Sequence, residues 1–139
     1  MHYYQRFHAH NTSLQYASQD RAAAETKMME SLENKDNTYI DVQYQLQAVE
    51  QVIDCRRVLK YTYVLGFFLI GSTEEEKQER QLFEHHQEML EKHTEKLHGS
   101  YEQNAERSEV VNLTRVTDKF LSSLVETITG GFVNSRDSI

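Results

Sequence analysis

Seven histidines, one cysteine and a regularly spaced row of glutamates are the residues of this chain that could do chemistry. Histidine and carboxylate together can hold a metal, but the spacings that known metal sites require are missing. A di-iron carboxylate bundle needs two Glu-x-x-His pairs and two further glutamates facing one core. Only one such pair is present, Glu95 with His98. The His-Glu-x-x-His pattern of zinc proteases does not occur. His85, His86 and His93 fall close together on one stretch, which chance alone often provides. The expectation is therefore partly buried or solvent-facing imidazoles and no bound metal. Cys55 lies inside an apolar stretch, where a thiol acts as a small buried hydrophobe of ordinary pKa. Arg56 and Arg57 are its chain neighbours, but adjacent helical residues point to different faces. No glycine-rich phosphate loop appears, so the residues argue against catalysis by this chain.

The glutamates are more informative. Glu84, Glu88, Glu91 and Glu95 are spaced four, three and four, which on a helix puts them in one stripe over three turns. Like charges at that spacing repel by roughly a few tenths of a kcal/mol per pair. On the residues alone the plainer reading is a solvated face. The other is a docking strip for a partner carrying hydrogen-bond donors or cations. Buried at an interface, such carboxylates would also raise the pKa of a neighbouring thiol.

Periodicity predicts helices to carry these residues, at about 3–33, 38–70, 73–101 and 108–129. On the first, Tyr4, Phe7, Leu14, Ala24, Met28 and Leu32 mark the apolar side, and Asn34-Lys35-Asp36-Asn37 then breaks the pattern. The second starts near Thr38, a capping hydroxyl with Asp41 three residues on. Val42, Leu46, Val49, Ile53, Leu59, Tyr63, Phe67 and Ile70 give it a buried face. Val52, Cys55, Val58, Leu65 and Phe68 widen that face, as a central bundle helix requires. Gly71 is placed to end it. Ser72 or Thr73, each with a glutamate three residues later, opens the third helix. Its stripe runs through Leu82 or Phe83, His86, Leu90, His93, Leu97 and Tyr101, with Gly99 either stopping or kinking it. Val110, Leu113, Thr117, Phe120, Leu124 and Ile128 define the fourth, which Gly130-Gly131 should terminate. Short connections make successive helices antiparallel neighbours. The fold class expected is all-α, an elongated antiparallel bundle of about four helices over residues 1–133, with a loose tail at 134–139.

Composition agrees. The 139 residues contain no proline and five glycines, which long helices tolerate and a turn-rich fold would not. A net charge of −7 disfavours nucleic acid as a partner, although Arg56, Arg57 and Lys60 could form a local basic patch. The longest apolar run, Tyr61 to Ile70, is too short to cross a bilayer, so no membrane partner is expected. A single cysteine fits a reducing compartment, cytoplasmic or also nuclear. Tyr61, Tyr63, Phe67 and Phe68 read as core, whereas Tyr3, Tyr4, Phe7 and Tyr16 could cover a neighbouring domain. A pattern that opens in mid-helix reads as a piece of a longer polypeptide.

The segment Asp54-Cys55-Arg56-Arg57-Val58-Leu59-Lys60-Tyr61-Thr62-Tyr63-Val64 resembles the "C-R-x-x-L-x-Y-T-Y-V" stretch of the Ariadne domain in RING-between-RING ubiquitin ligases. His2-Tyr3-Tyr4-Gln5-Arg6-Phe7 resembles the tyrosine-rich opening helix of that family, and Ile40-Asp41-Val42-Gln43-Tyr44 its "I-E-V-Q-F" box. Leu82-Phe83-Glu84 through Leu90-Glu91-Lys92-His93-Thr94-Glu95-Lys96-Leu97-His98-Gly99 resembles its "F-E … L-E-x-x-T-E-x-L-S-G" helix. The four boxes stand in family order and cover about residues 2–101.

The resemblance implies a regulatory role. In these ligases a catalytic cysteine in the last RING-like domain receives ubiquitin and passes it to a substrate amine. The Ariadne helices fold back over that cysteine, and a neddylated cullin-RING ligase releases the block. Zinc would belong to the RING-like domains outside this chain, and no cofactor is expected within it. Glu95 matches the family glutamate that contacts the catalytic domain, and Glu84 matches a second acidic contact. Tyr16-Ala17 stands where the family has Phe-Glu, so the ring is kept and the carboxylate is not. Glu88 and Glu91 complete the expected contact row. The alternative is a non-catalytic scaffold or adaptor that recruits protein partners through its helices.

Overall fold

Helix-forming residues uninterrupted by proline give long helices. The structure is a computed structural model that describes residues 2–33, 38–68 and 73–132. It contains α1 (His2–Glu33), α2 (Thr38–Phe68), α3 (Glu74–Glu102) and α4 (Arg107–Glu126), the last continuing into a π-helical turn, Thr127–Phe132. No strand occurs among the described residues. The breaks expected at Asn34–Asn37 and at Gly71, and the tail at 134–139, lie outside the described residues. So do the side chains of Thr38 and Asp41.

Thr73 shows how one element is started. Its side chain accepts a hydrogen bond from the Glu76 amide at 3.1 Å, and Glu74, Glu75 and Glu76 place three carboxylates at the positive end of the helix. Gly99 neither stops nor ends α3; the helix runs through it to Glu102. The chain leaves instead at Asn104, whose φ of 57° is left-handed. Asparagine tolerates that conformation better than most residues, so it does here what glycine was expected to do. The Gly130-Gly131 pair likewise fails to terminate the fourth helical segment. The backbone crosses it in a wider π-helical turn, which residues lacking Cβ atoms accommodate.

Cross-helix contacts set the topology. Arg56 meets His10 and, further back along α2, Glu50 meets Arg21, so α1 and α2 are antiparallel. Gln87 meets Thr62, while Leu97 packs with Val49 and Ile53 earlier on α2, so α2 and α3 are antiparallel too. α1 and α3 therefore flank α2 and run parallel, their backbones hardly approaching each other. α2 also packs on α4, and its broad apolar face is buried accordingly: Val42, Val49, Val52, Ile53, Cys55, Leu59 and Tyr63 are all inside.

Two apolar clusters result. One gathers Ala17, Ala48, Val49, Val52, Ile53, Leu97, Val110 and Leu113; the other gathers Cys55, Leu59, Phe83, Leu90 and Leu124. The face of α1 departs from expectation. Tyr4 is exposed, Phe7, Leu14 and Met28 are half-buried, and the fully buried positions are His10, Ala17 and Ala24. They recur every seven residues, the seam of a helix laid closely along a single neighbour. On α3 the choice between Leu82 and Phe83 falls to Phe83, which is buried while Leu82 is exposed. Tyr61, expected in the core, is 63% exposed and lies against Lys60.

Leu90 is completely buried, so Leu90→Ala should cost about 2–5 kcal/mol in urea unfolding. Thr73→Ala removes only a cap and should cost about 1 kcal/mol by the same measurement.

Candidate functional site

Beside the apolar clusters, a belt of polar side chains links α1, α2 and α3. Its centre is Glu91, which is only 9% exposed. One oxygen, Oε2, accepts from the Tyr63 hydroxyl at 2.6 Å. The other, Oε1, pairs with the Arg6 guanidinium and lies 3.3 Å from His10 Nε2. His10 Nδ1 is 2.9 Å from Arg56 Nη1. A guanidinium can only donate, so Nδ1 must be the bare ring nitrogen and Nε2 must carry the hydrogen. Arg56 then donates to His10, and His10 Nε2 is turned toward Glu91 Oε1. His10 thus stands between Arg56 and the carboxylate. Its ring also stacks on Tyr63, with centroids 5.5 Å apart. Gln87 donates to Thr62 at 2.9 Å, and Thr62 to the Leu59 carbonyl at 2.7 Å, which continues the belt along α2.

Burial alone would push the Glu91 carboxyl up. Hydrogen bonding from His10 and Tyr63 and the charge of Arg6 outweigh it and bring the carboxyl down to about 2. Burial, and then the Glu91 hydrogen bond, pushes the Tyr63 hydroxyl up. Burial lowers the Arg56 guanidinium, against which Glu95 and then Glu91 pull. The belt thus holds two guanidiniums against one buried carboxylate, and Glu95 at its rim supplies the second negative charge.

The expected row of four glutamates is therefore split. Glu95 and Glu88 are exposed on α3. Glu84 is half-exposed and accepts from Arg80 Nε of its own helix at 3.1 Å. Glu91 turns inward and its oxygens are taken by this chain's own donors. The four sit at the edge of the buried face of α3, and at Glu91 α1 and α2 bring Arg6, His10 and the Tyr63 hydroxyl to meet it. Tyr16 is 59% exposed on α1, while Ala17 is fully buried in the apolar seam. A carboxylate at Ala17 would meet that seam and not solvent.

The remaining candidates resolve plainly. Cys55 is buried, and burial pushes its thiol up to about 11, further from reactivity than an ordinary cysteine. The basic patch does not form: Arg56 faces inward, Arg57 is exposed, and Lys60 is half-buried, donating to Asn11 at 3.1 Å. His93 packs on Phe120 with centroids 4.2 Å apart and bonds the Met89 carbonyl. His98 pairs across helices with Asp20 at 3.0 Å and with Glu102 at 3.1 Å, not with Glu95. These three are the described residues that could hold a metal ion. Sequence reasoning missed both His10 and Asp20. A polar residue at the buried end of a seven-residue repeat was the signal for His10. Asp20 had none, because its partner is 78 residues away.

If the belt holds the bundle, its charge should be visible in acid. Glu91 has its folded pKa lowered from about 4.5 to about 2, so its contribution is fully present above pH 4.5 and lost as pH falls toward 2. That contribution is on the order of 3 kcal/mol. Glu91→Gln should lose about this much near neutral pH and show a flatter loss of stability between pH 5 and pH 2, by urea unfolding across pH.

Comparison with known proteins agrees with this reading of the helices. The Ariadne domain family model matches residues 1–137. The "Probable E3 ubiquitin-protein ligase rbrA" of Dictyostelium discoideum is 37% identical over 147 residues, covering 98% of this chain and 28% of the relative. The "Probable E3 ubiquitin-protein ligase ARI7" of Arabidopsis thaliana is 33% identical, covering 96% of this chain and 26% of the relative. The "E3 ubiquitin-protein ligase ari-1.1" of Caenorhabditis elegans is 32% identical, covering 85% and 23%. The chain spans about a quarter of the length of these relatives. With four helices, the inward-facing boxes and a match across nearly its whole length, this chain belongs to the Ariadne domain family.

Proposed function

We propose that this chain is the brake of a RING-between-RING ubiquitin ligase, holding the RING-like catalytic domain of the same polypeptide until a partner releases it. The parent protein would then be an E3 ubiquitin-protein transferase, and a neddylated cullin-RING ligase is the releasing partner this reading names. The observation that carries it is the exposure of Glu95 one turn beyond the anchored Glu91. The belt anchors α3 at Glu91, so Glu95 stands exposed at a set place on the rim of the helix. Glu84 and Glu88 extend the same edge, and Tyr16 offers an exposed ring on α1. Because Ala17 is buried, the position beside Tyr16 adds no carboxylate to this surface.

Carboxylates held this way suit charge-assisted hydrogen bonds, each worth about 1.5–3 kcal/mol where water is excluded. Since 1.4 kcal/mol is a factor of ten in population, losing two contacts should open the ligase measurably. In the parent ligase without activator, Glu84→Ala with Glu95→Ala should raise basal ubiquitin transfer by about tenfold or more, read as discharge from the conjugating enzyme. An unchanged basal rate removes these residues from the brake. Added in trans to a ligase lacking this domain, the chain should suppress transfer; no suppression at high concentration favours an adaptor that recruits partners instead.

A further inference from the structure

We propose that Asp20, His98 and Glu102 form a site for a zinc-class divalent cation that ties α1 to α3. His98 Nε2 lies 3.0 Å from Asp20 Oδ2 and 3.1 Å from Glu102 Oε1. The three donor atoms all lie within 4.8 Å of one another. Zinc bonds nitrogen and oxygen at roughly 2.0–2.2 Å in tetrahedral geometry, which sets its ligands roughly 3.3 Å apart. Small rotations of the two carboxylates would therefore seat the ion without moving a helix.

The site is more than a patch of surface acid. Its centre is an imidazole only 8% exposed, and that ring nitrogen faces two carboxylate oxygens at once. A ring nitrogen carries one proton or one lone pair, so it can fully satisfy one of them. A divalent cation between the three bonds all of them and cancels two negative charges.

The donor set also selects the ion. Calcium and magnesium take oxygen ligands, whereas imidazole with carboxylates suits zinc and its first-row neighbours. Three protein ligands leave a fourth position for water. Positioning is shared between two elements. His98 and Glu102 stand four residues apart on α3 and share one face by helical spacing, while Asp20 arrives from α1.

The test is calorimetric titration of the 139-residue chain with zinc chloride near neutral pH, alongside melting curves. One zinc should bind per chain, and Tm should rise by roughly 5–10 °C at a free zinc concentration about 100 times Kd. His98→Gln should weaken binding by more than the roughly 10–100-fold that loss of even an outer partner of a metal ligand costs. Asp20→Ala removes a half-exposed ligand without touching the interior, and serves should His98→Gln unfold. A His85→Gln, His86→Gln double variant should bind zinc as the parent chain does. The proposal is overturned if zinc does not bind, which leaves a proton on His98 as the bridge. It is also overturned if Asp20→Ala binds as tightly as the parent chain.

Discussion

Everything in this bundle is arranged around the need to keep one buried carboxylate supplied with donors. Taking the Glu91 anion out of water costs several kcal/mol unless its oxygens are met by hydrogen bonds and positive charge. Three helices contribute to meeting that need: Arg6 and His10 from α1, Arg56 and Tyr63 from α2, and Glu91 itself from α3. Apolar packing would accept many registers of these helices, because a sliding helix exchanges one aliphatic contact for another. The belt accepts one register. Only there does the guanidinium of Arg56 reach Nδ1 of His10 while Nε2 of the same ring faces Glu91.

This gives a physical reading of the boxes by which the family is recognised. In the Cys55–Tyr63 stretch, Cys55, Arg56, Leu59, Thr62 and Tyr63 are buried, whereas Arg57 and Tyr61 are exposed. In the third-helix box, Leu90, Glu91, Thr94 and Leu97 are buried and Glu95 is exposed. Most of the pattern therefore encodes the interior. The outward residues within it are few, and Glu95 is held in place by inward neighbours on both sides.

The helices were legible in the sequence because their signals are local. A capping threonine before three glutamates and the three-four alternation of Val110, Leu113, Thr117, Phe120 and Leu124 need no partner to be read. The all-α class followed from these and from the absence of proline. What stayed hidden was non-local. Glu91 shares the spacing of Glu84, Glu88 and Glu95, and nothing within α3 separates it from them. It turns inward because Arg6, His10 and Tyr63 come from elsewhere in the chain to receive it. His10 and Asp20 were passed over for the same reason, since periodicity scores a polar residue as solvent-facing. The face of α1 was misjudged because its large apolar residues lie beside the seam, while two alanines and a histidine fill it.

The neighbouring arrangement of α1 and α3 has a mechanical consequence. Each backbone packs on α2, and the two meet one another through polar side chains, Arg6 and His10 to Glu91 and, further along both helices, Asp20 to His98. Exposed side chains change rotamer in picoseconds to nanoseconds, far faster than helices slide past one another. The seam between α1 and α3 is thus closed by polar side chains more than by backbone packing, and its integrity depends on charge more than that of any other seam described above.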